Sequence, residues 1–162
     1  MRNFKKISLI AYDFDGVMTD NTALLFQDGK EAVRINRSDG LAINIIKNIG
    51  IEQIIISTEI NPIVSARADK LKIRVIQNCS DKKKAMVLYC EQHSINLHDV
   101  IFVGNDINDL EVMQIVGYPV CPKDAYREII DISKYVTKSK GGEGVIRDLA
   151  EHLFGENIKK IM

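Results

Sequence analysis

The sequence has no excess of charge of either sign. Lys and Arg total 22, Asp and Glu total 22, and the formal net charge is zero. A nucleic-acid binder ordinarily carries a basic surplus, so this balance argues against one while leaving room for a local cationic pocket. Cysteine is scarce: the three, Cys79, Cys90 and Cys121, are too few and too far apart for a zinc cluster or a disulfide framework. Their odd number leaves at least one unpaired, which suits a reducing cytoplasm. Long apolar runs are also missing. MRNFKK is followed only by ISLIAY before an acidic pair, too short to span a bilayer, and no signal-peptide cleavage pattern follows. The histidines His93, His98 and His152 show no ligand spacing and read as surface residues. No repeat, low-complexity segment or linker rich in Pro, Gly or Ser divides the chain. At 162 residues, 46% apolar and 27% charged, it is expected to form one globular domain with a single core.

Short β-branched runs occur at Ile7–Tyr12, Ile54–Ser57, Val75–Gln77, Val100–Val103, Pro119–Cys121 and Tyr135–Thr137. Helical segments lie between them. Leu41, Ile45 and Ile49 recur every fourth residue, and Asn61-Pro62 supplies an N-cap and first helical position for a helix reaching Leu71. Asp81 to about His93, Asn108–Val116 and Gly144–Phe154 read as further helices. This alternation predicts a three-layer α/β/α, Rossmann-like parallel sheet, its strands apolar throughout because both faces are buried. Ligands bind such sheets at the carboxyl ends of the strands, so the residues just past each run are the ones to inspect. One segment breaks the pattern. Thr22–Phe26 and Glu31–Ile35 flank Asp28-Gly29, a hairpin signal. A lone two-stranded hairpin is marginal in water, so this insertion (about 21–36) must pack on its own domain or on a neighbouring subunit.

The first strand ends in Asp13-Phe14-Asp15-Gly16-Val17-Met18-Thr19-Asp20. Two carboxylates two residues apart can face one point, although a solvated acidic turn would look the same. An EF-hand calcium loop is excluded, because its glycine stands five residues after the first acid, not three. The second strand ends at Ser57-Thr58-Glu59, whose hydroxyls and N–H groups suit a phosphate oxygen. Lys82 opens a helix in Ser80-Asp81-Lys82-Lys83-Lys84; three cations at a helix N-terminus oppose the macrodipole, which suggests that one has another task. The fourth strand ends in Gly104-Asn105-Asp106-Ile107-Asn108-Asp109. Acids and amides clustered so closely repel unless a cation neutralises them, and oxygen-only ligands suit magnesium.

DFDGVMTD, Ser57, Lys82 and GNDIND resemble, in order and spacing, the four motifs of the haloacid dehalogenase superfamily of phosphohydrolases. The resemblance runs from about Ile7 to Phe154. The hairpin, the Arg37-Ser38-Asp39-Gly40 turn and Gly141-Gly142-Glu143-Gly144-Val145-Ile146-Arg147 are similar to the capless branch that contains 3-deoxy-octulosonate 8-phosphate phosphatase. It implies Asp13 as nucleophile, Asp15 as general acid and base, and Ser57 and Lys82 as phosphoryl ligands. It also implies Mg2+ held by Asp13, the Asp15 carbonyl and Asn105. Asn105 departs from the aspartate of most relatives; its amide oxygen coordinates without charge, and Asp106 or Asp109 can compensate through bound water.

Octulosonate phosphatases usually have Thr-Gly-Arg where this chain has Ser57-Thr58-Glu59. The run from Ser57 to Leu71 is similar instead to phosphatases of nine-carbon sugar acids and to phosphatase-like domains of acylneuraminate cytidylyltransferases. That resemblance implies Glu59, Arg67, Lys70 and Asp39 as substrate-binding residues, with the substrate a ketodeoxynononate or N-acylneuraminate 9-phosphate. Octulosonate 8-phosphate of lipopolysaccharide synthesis is the next expectation, and a non-catalytic assembly module the expectation of another class. Arg67 and Lys70, three residues apart, share one helix face; an ordinary salt-bridge surface would look alike. The resemblance further implies a homotetramer with the hairpins packed centrally, and no membrane or nucleic-acid partner.

Overall fold

In the computed structural model, which describes residues 7–155, β1 (Leu9–Tyr12) is followed by the antiparallel hairpin β2 (Thr19–Leu25) and β3 (Glu31–Ile35). The chain then alternates: α1 (Arg37–Asn48), β4 (Glu52–Ile56), α2 (Ile63–Leu71), β5 (Arg74–Ile76), α3 (Lys82–Gln92), β6 (Val100–Val103), α4 (Leu110–Ile115), β7 (Tyr118–Cys121), α5 (Arg127–Ile132), β8 (Tyr135–Val136) and α6 (Val145–Phe154). Six strands form one parallel sheet in the order β5-β4-β1-β6-β7-β8. The chain winds outward from β1 to β5, crosses back to β6 and winds outward again to β8. The direction reverses between β1 and β6, so their carboxyl ends flank the crevice where such sheets bind ligands.

Successive residues of β1 serve opposite layers. Ile10 and Tyr12 join Ile43, Ile46, Val64, Ala68, Val145 and Leu149 beneath α1, α2 and α6. Leu9 and Ala11 join Met86, Tyr89, Val112, Met113 and Ile129 beneath α3, α4 and α5. Burying one large aliphatic side chain contributes about 1.5–3 kcal/mol, so the two layers together fix the sheet and the loops at its end. Among the described residues the hairpin is the insertion after strand 1, and no cap domain stands over the sheet. Met1–Lys6, read above for targeting signals, lies outside the described residues.

Four expectations are corrected. Leu41 and Ile49 face outward, 54% and 40% exposed; the buried face of α1 is Ala42, Ile43, Ile45 and Ile46. Arg37–Gly40 is no free turn but the first turn of α1, capped by Asn36, whose side chain accepts the Ser38 N–H at 2.9 Å. α5 had no counterpart in the pattern, because its one fully buried side chain, Ile129, gives no period. His93 and His152 are half-buried, stacked on Tyr89 and Tyr135.

Candidate active site

The backbone N–H of Asp13 donates to the Val103 carbonyl at 2.8 Å, extending the β1–β6 pairing one residue beyond the strand. Its side chain is thereby fixed at the point where the sheet reverses. Asp13 Oδ1 accepts the Phe14 N–H at 2.7 Å and lies 2.8 Å from Lys82 Nζ. Lys82 Nζ also donates to Asp109 Oδ1 at 2.7 Å. Asp109 Oδ2 accepts the Asn105 N–H at 2.9 Å, which shapes the loop after β6. Asp13, Lys82 and Asp109 are 4%, 2% and 0% exposed. Lys82 thus leaves the exposed lysine face at the start of α3 and turns inward, while Asp81 caps that helix through the Lys84 N–H at 2.8 Å.

Two carboxylates on one ammonium leave one negative charge in excess. Burial and Asp109 together push the Asp13 carboxyl up, to about 8, against the pull of Lys82. Burial pulls the Lys82 ammonium down, but Asp13 and Asp109 outweigh it and hold it above the ordinary lysine value. A carboxylate that must work ionised therefore calls for one more positive charge.

The place for that charge is evident from the oxygens. One end of the Asn105 amide lies 2.8 Å from the Asp15 carbonyl oxygen and 3.3 Å from Asp13 Oδ2. With the amide oxygen at that end, three oxygens converge with no hydrogen between them, a donor set suited to a hard divalent cation. Among the described residues no three His, Cys, Asp or Glu side chains group to hold a metal. The set here is one carboxylate, one amide and one backbone carbonyl, and it fits.

Asp15 stands at the mouth of a cleft of about 330 Å³ lined by Asp13, Asp15, Asn21, Thr58, Asn105, Asp106 and Asn108. Its carboxyl is raised above the ordinary value by burial, opposed by the Thr19 hydroxyl that donates to Oδ1 at 3.2 Å, and raised further by Glu59. Ser57, 1% exposed, closes the end of β4. Its Oγ accepts the Glu59 N–H at 3.1 Å, so what it offers an oxyanion is its hydroxyl hydrogen.

The residues expected at the sugar end are spread more widely. Glu59 is half-buried just past the end of β4, its Oε1 accepting the Ile60 and Asn61 N–H groups at 2.7 and 2.8 Å. Arg67 is half-buried against α1, Nη2 donating to the Asn36 carbonyl at 3.3 Å, whereas Lys70 on the next turn is exposed. Asp39 is 2% exposed and accepts the Arg147 N–H at 3.0 Å. It thereby caps α6, whose own N-cap residue is Gly144 and has no side chain to do so. Thr19, inside the first motif, was left without a role by the sequence, and Asp109, expected to assist the cation through bound water, instead engages Lys82 with one oxygen and the Asn105 N–H with the other. Both lay in quoted motifs, and burial is what distinguishes them from their acidic and hydroxylic neighbours.

A Rossmann-like sheet whose reversal point holds a buried aspartate–lysine–aspartate cluster and a three-oxygen cation set defines the class. The sequence matches the haloacid dehalogenase-like hydrolase family over residues 44–149, and the chain belongs to that family. It is 32% identical over 154 residues to 3-deoxy-D-manno-octulosonate 8-phosphate phosphatase of Escherichia coli, covering 94% of this chain and 82% of that one. The crystal structure of the phosphatase of that name from Moraxella catarrhalis, in complex with magnesium, phosphate and KDO, superposes with a TM-score of 0.91 at 28% identity, covering 95% of this chain and 90% of that one. N-acylneuraminate cytidylyltransferase of Oncorhynchus mykiss is 28% identical over 151 residues, covering 91% of this chain but only 35% of that protein. The chain thus spans about a third of the length of the cytidylyltransferases it matches.

Proposed function

We propose that this chain is a magnesium-dependent phosphatase of a 2-keto-3-deoxy-nonulosonate 9-phosphate, of ketodeoxynononate or N-acylneuraminate type, working through an aspartyl-phosphate on Asp13. The observation that carries this reading is the buried ammonium of Lys82, 2.8 Å from Asp13, with Asp15 on the wall of the same cleft. Asp13 attacks phosphorus as the ester P–O bond breaks, and Asp15, whose carboxyl burial and Glu59 raise above the ordinary value, gives a proton to the departing sugar oxygen. Asp15 then takes a proton from the water that cleaves the phospho-aspartate, releasing phosphate and restoring the Asp13 carboxylate and the Asp15 acid. Lys82 and the Ser57 hydroxyl hold non-bridging oxygens throughout. Mg2+, held by Asp13, the Asp15 carbonyl and Asn105, supplies the charge neutralisation that lets a carboxylate approach a phosphate.

For the sugar acid, Glu59 past the end of β4 accepts hydroxyl groups. Arg67 and Lys70 meet the carboxylate, contributed across the interface of a homotetramer built through the hairpins, and Asp39 supports that end through α1. The identity to nonulosonate cytidylyltransferases supports a nine-carbon substrate. The identity to octulosonate 8-phosphate phosphatases supports that eight-carbon ester as a second reading, and the limited coverage of the cytidylyltransferases keeps a non-catalytic assembly module as a third. The protein acts in the cytoplasm; among the described residues no helix is long and apolar enough to cross a membrane, and the balanced charge offers nothing for nucleic acid. Phosphate release with Mg2+ over a panel of six- to nine-carbon sugar phosphates tests all three. A kcat/KM highest for a nonulosonate 9-phosphate is expected. A preference for octulosonate 8-phosphate replaces the substrate, and no turnover on any ester leaves the module.

A further inference from the structure

Asn105 is fixed through its backbone, and its amide packs against Gly16. Its N–H is bound by Asp109 Oδ2 at 2.9 Å, and its carbonyl accepts the Tyr126 N–H at 2.8 Å. The side chain is pressed on Gly16: a Cβ at that position would stand 2.0 Å from Asn105 Nδ2 and 2.5 Å from Cγ. The amide is thereby kept at this place, and its terminal torsion has two broad wells that exchange oxygen for nitrogen. Both orientations address the same two acceptors, the Asp15 carbonyl oxygen at 2.8 Å and Asp13 Oδ2 at 3.3 Å. One presents a third oxygen to them. The other presents two N–H hydrogens, one to each.

We propose that Asn105 is an amide toggle: without a cation its NH2 group bridges the Asp15 carbonyl and Asp13 Oδ2, and a divalent cation displaces that bridge by turning the amide over. This inference rests on the metal reading above and deepens it. The consequence is a change confined to one amide, whose oxygen and nitrogen exchange places while the backbone bonds of Asn105 to Asp109 and Tyr126 are kept. The cation must replace two hydrogen bonds as well as shed water, so affinity is set lower than a carboxylate would give. An aspartate at 105 behaves oppositely. It donates nothing to Asp13, adds a negative charge to a cluster already carrying one in excess, and binds the cation more tightly.

The test uses Mg2+ alone, without substrate. In the metal-free protein the Asn105 side-chain NH2 resonances are expected to be protected from solvent exchange. On titration with Mg2+ they shift and lose that protection, while the backbone N–H of Asn105 stays protected. In parallel, Asn105→Asp is expected to melt lower than wild type in chelator and to bind Mg2+ more than about tenfold more tightly by calorimetry. Its Mg2+-induced rise in melting temperature then exceeds that of wild type. Failure of the metal-free variant to fold, with recovery on adding Mg2+, supports the toggle equally. If Mg2+ binds but the Asn105 NH2 signals do not move, or the variant is as stable as wild type in chelator, the toggle is overturned and the phosphatase reading stands. If Mg2+ does not bind, both fall.

Discussion

Lys82 reaches Asp109 at 2.7 Å, across 27 residues of sequence, and neither side chain touches bulk water. The pair ties the start of α3 to the loop after β6, and the second Asp109 oxygen passes the constraint to the Asn105 backbone. Lys82, the loop after β6 and Asp13 are thereby one rigid unit, in which no charged member can be altered without changing the charge balance of the others.

Lys82→Met is expected to destabilise the fold by about 3–5 kcal/mol, because it leaves two buried carboxylates facing one another without a cation. The loss should shrink when Asp109 is already Asn, giving a coupling energy above ~1 kcal/mol in a double-mutant cycle followed by urea unfolding. Additive losses in that cycle would show that the 2.7 Å contact carries no energy of its own.

Asp13→Asn is expected to separate stability from activity. The change removes the excess negative charge and leaves Lys82 paired with Asp109. The metal-free protein should gain about 1 kcal/mol in urea, while phosphate release falls on the order of 10⁴-fold or more. Substantial turnover in the variant would remove Asp13 from the nucleophile's role.

Much of this was legible in the sequence, for one physical reason. Strands buried on both faces are apolar throughout, so their ends are abrupt, and the polar residues that follow stand out: Asp13 after β1, Ser57 after β4, Asn105 after β6. Val100–Val103 is the same four residues in both readings. What escaped detection depends on contacts distant in sequence. Asp39 was expected at the substrate, in a turn, because nothing nearby indicates that it caps α6, 108 positions further on. β2 began earlier than its apolar run, at Thr19, because an irregularity between Thr19 and Ala23, with Asn21 at φ 60°, hides the alternation. Leu41 shares the helical period of Ile45 but not its side of α1, since a four-residue step drifts around the helix, and Ile49 lies just past the end of α1 as its C-cap.

Asp39 also sets a pH dependence of stability. Burial raises its carboxyl from 3.8 to about 6, although the Arg147 and Ile146 N–H groups and Arg67 pull it down. The folded state therefore binds more protons than the unfolded state between these values, and stability falls as pH rises through that window, levelling above it. A rise from 3.8 to about 6 corresponds to ~3 kcal/mol. Asp39→Asn keeps an oxygen for the Arg147 N–H and removes the titration. Relative to wild type, the variant should gain stability from pH 4 to pH 7 when urea midpoints are compared; a constant difference would mean that Asp39 does not titrate there.

The hairpin provides the assembly test. Leu24, Leu25 and Phe26 are 70%, 73% and 53% exposed in the single chain, three adjacent apolar side chains on a two-stranded ribbon that β2 and β3 alone hold together. Contiguous exposure of this kind marks an interaction surface rather than ordinary surface composition. Excising the whole insertion is a poor probe, because Asn36 at its end caps α1 and Glu31 accepts the Asn61 side-chain N–H at 3.1 Å beside the cleft. Replacing all three apolar residues with Ser leaves both contacts in place and changes the isolated domain's stability little, since these side chains touch little of its core. Light scattering is expected to show a tetramer for wild type and a monomer for the triple variant. The monomer's KM for the sugar ester should rise while its Mg2+ affinity holds, because the cation set lies within one chain. A variant that stays tetrameric would place the assembly surface elsewhere on the molecule, and a wild-type monomer would remove the homotetramer.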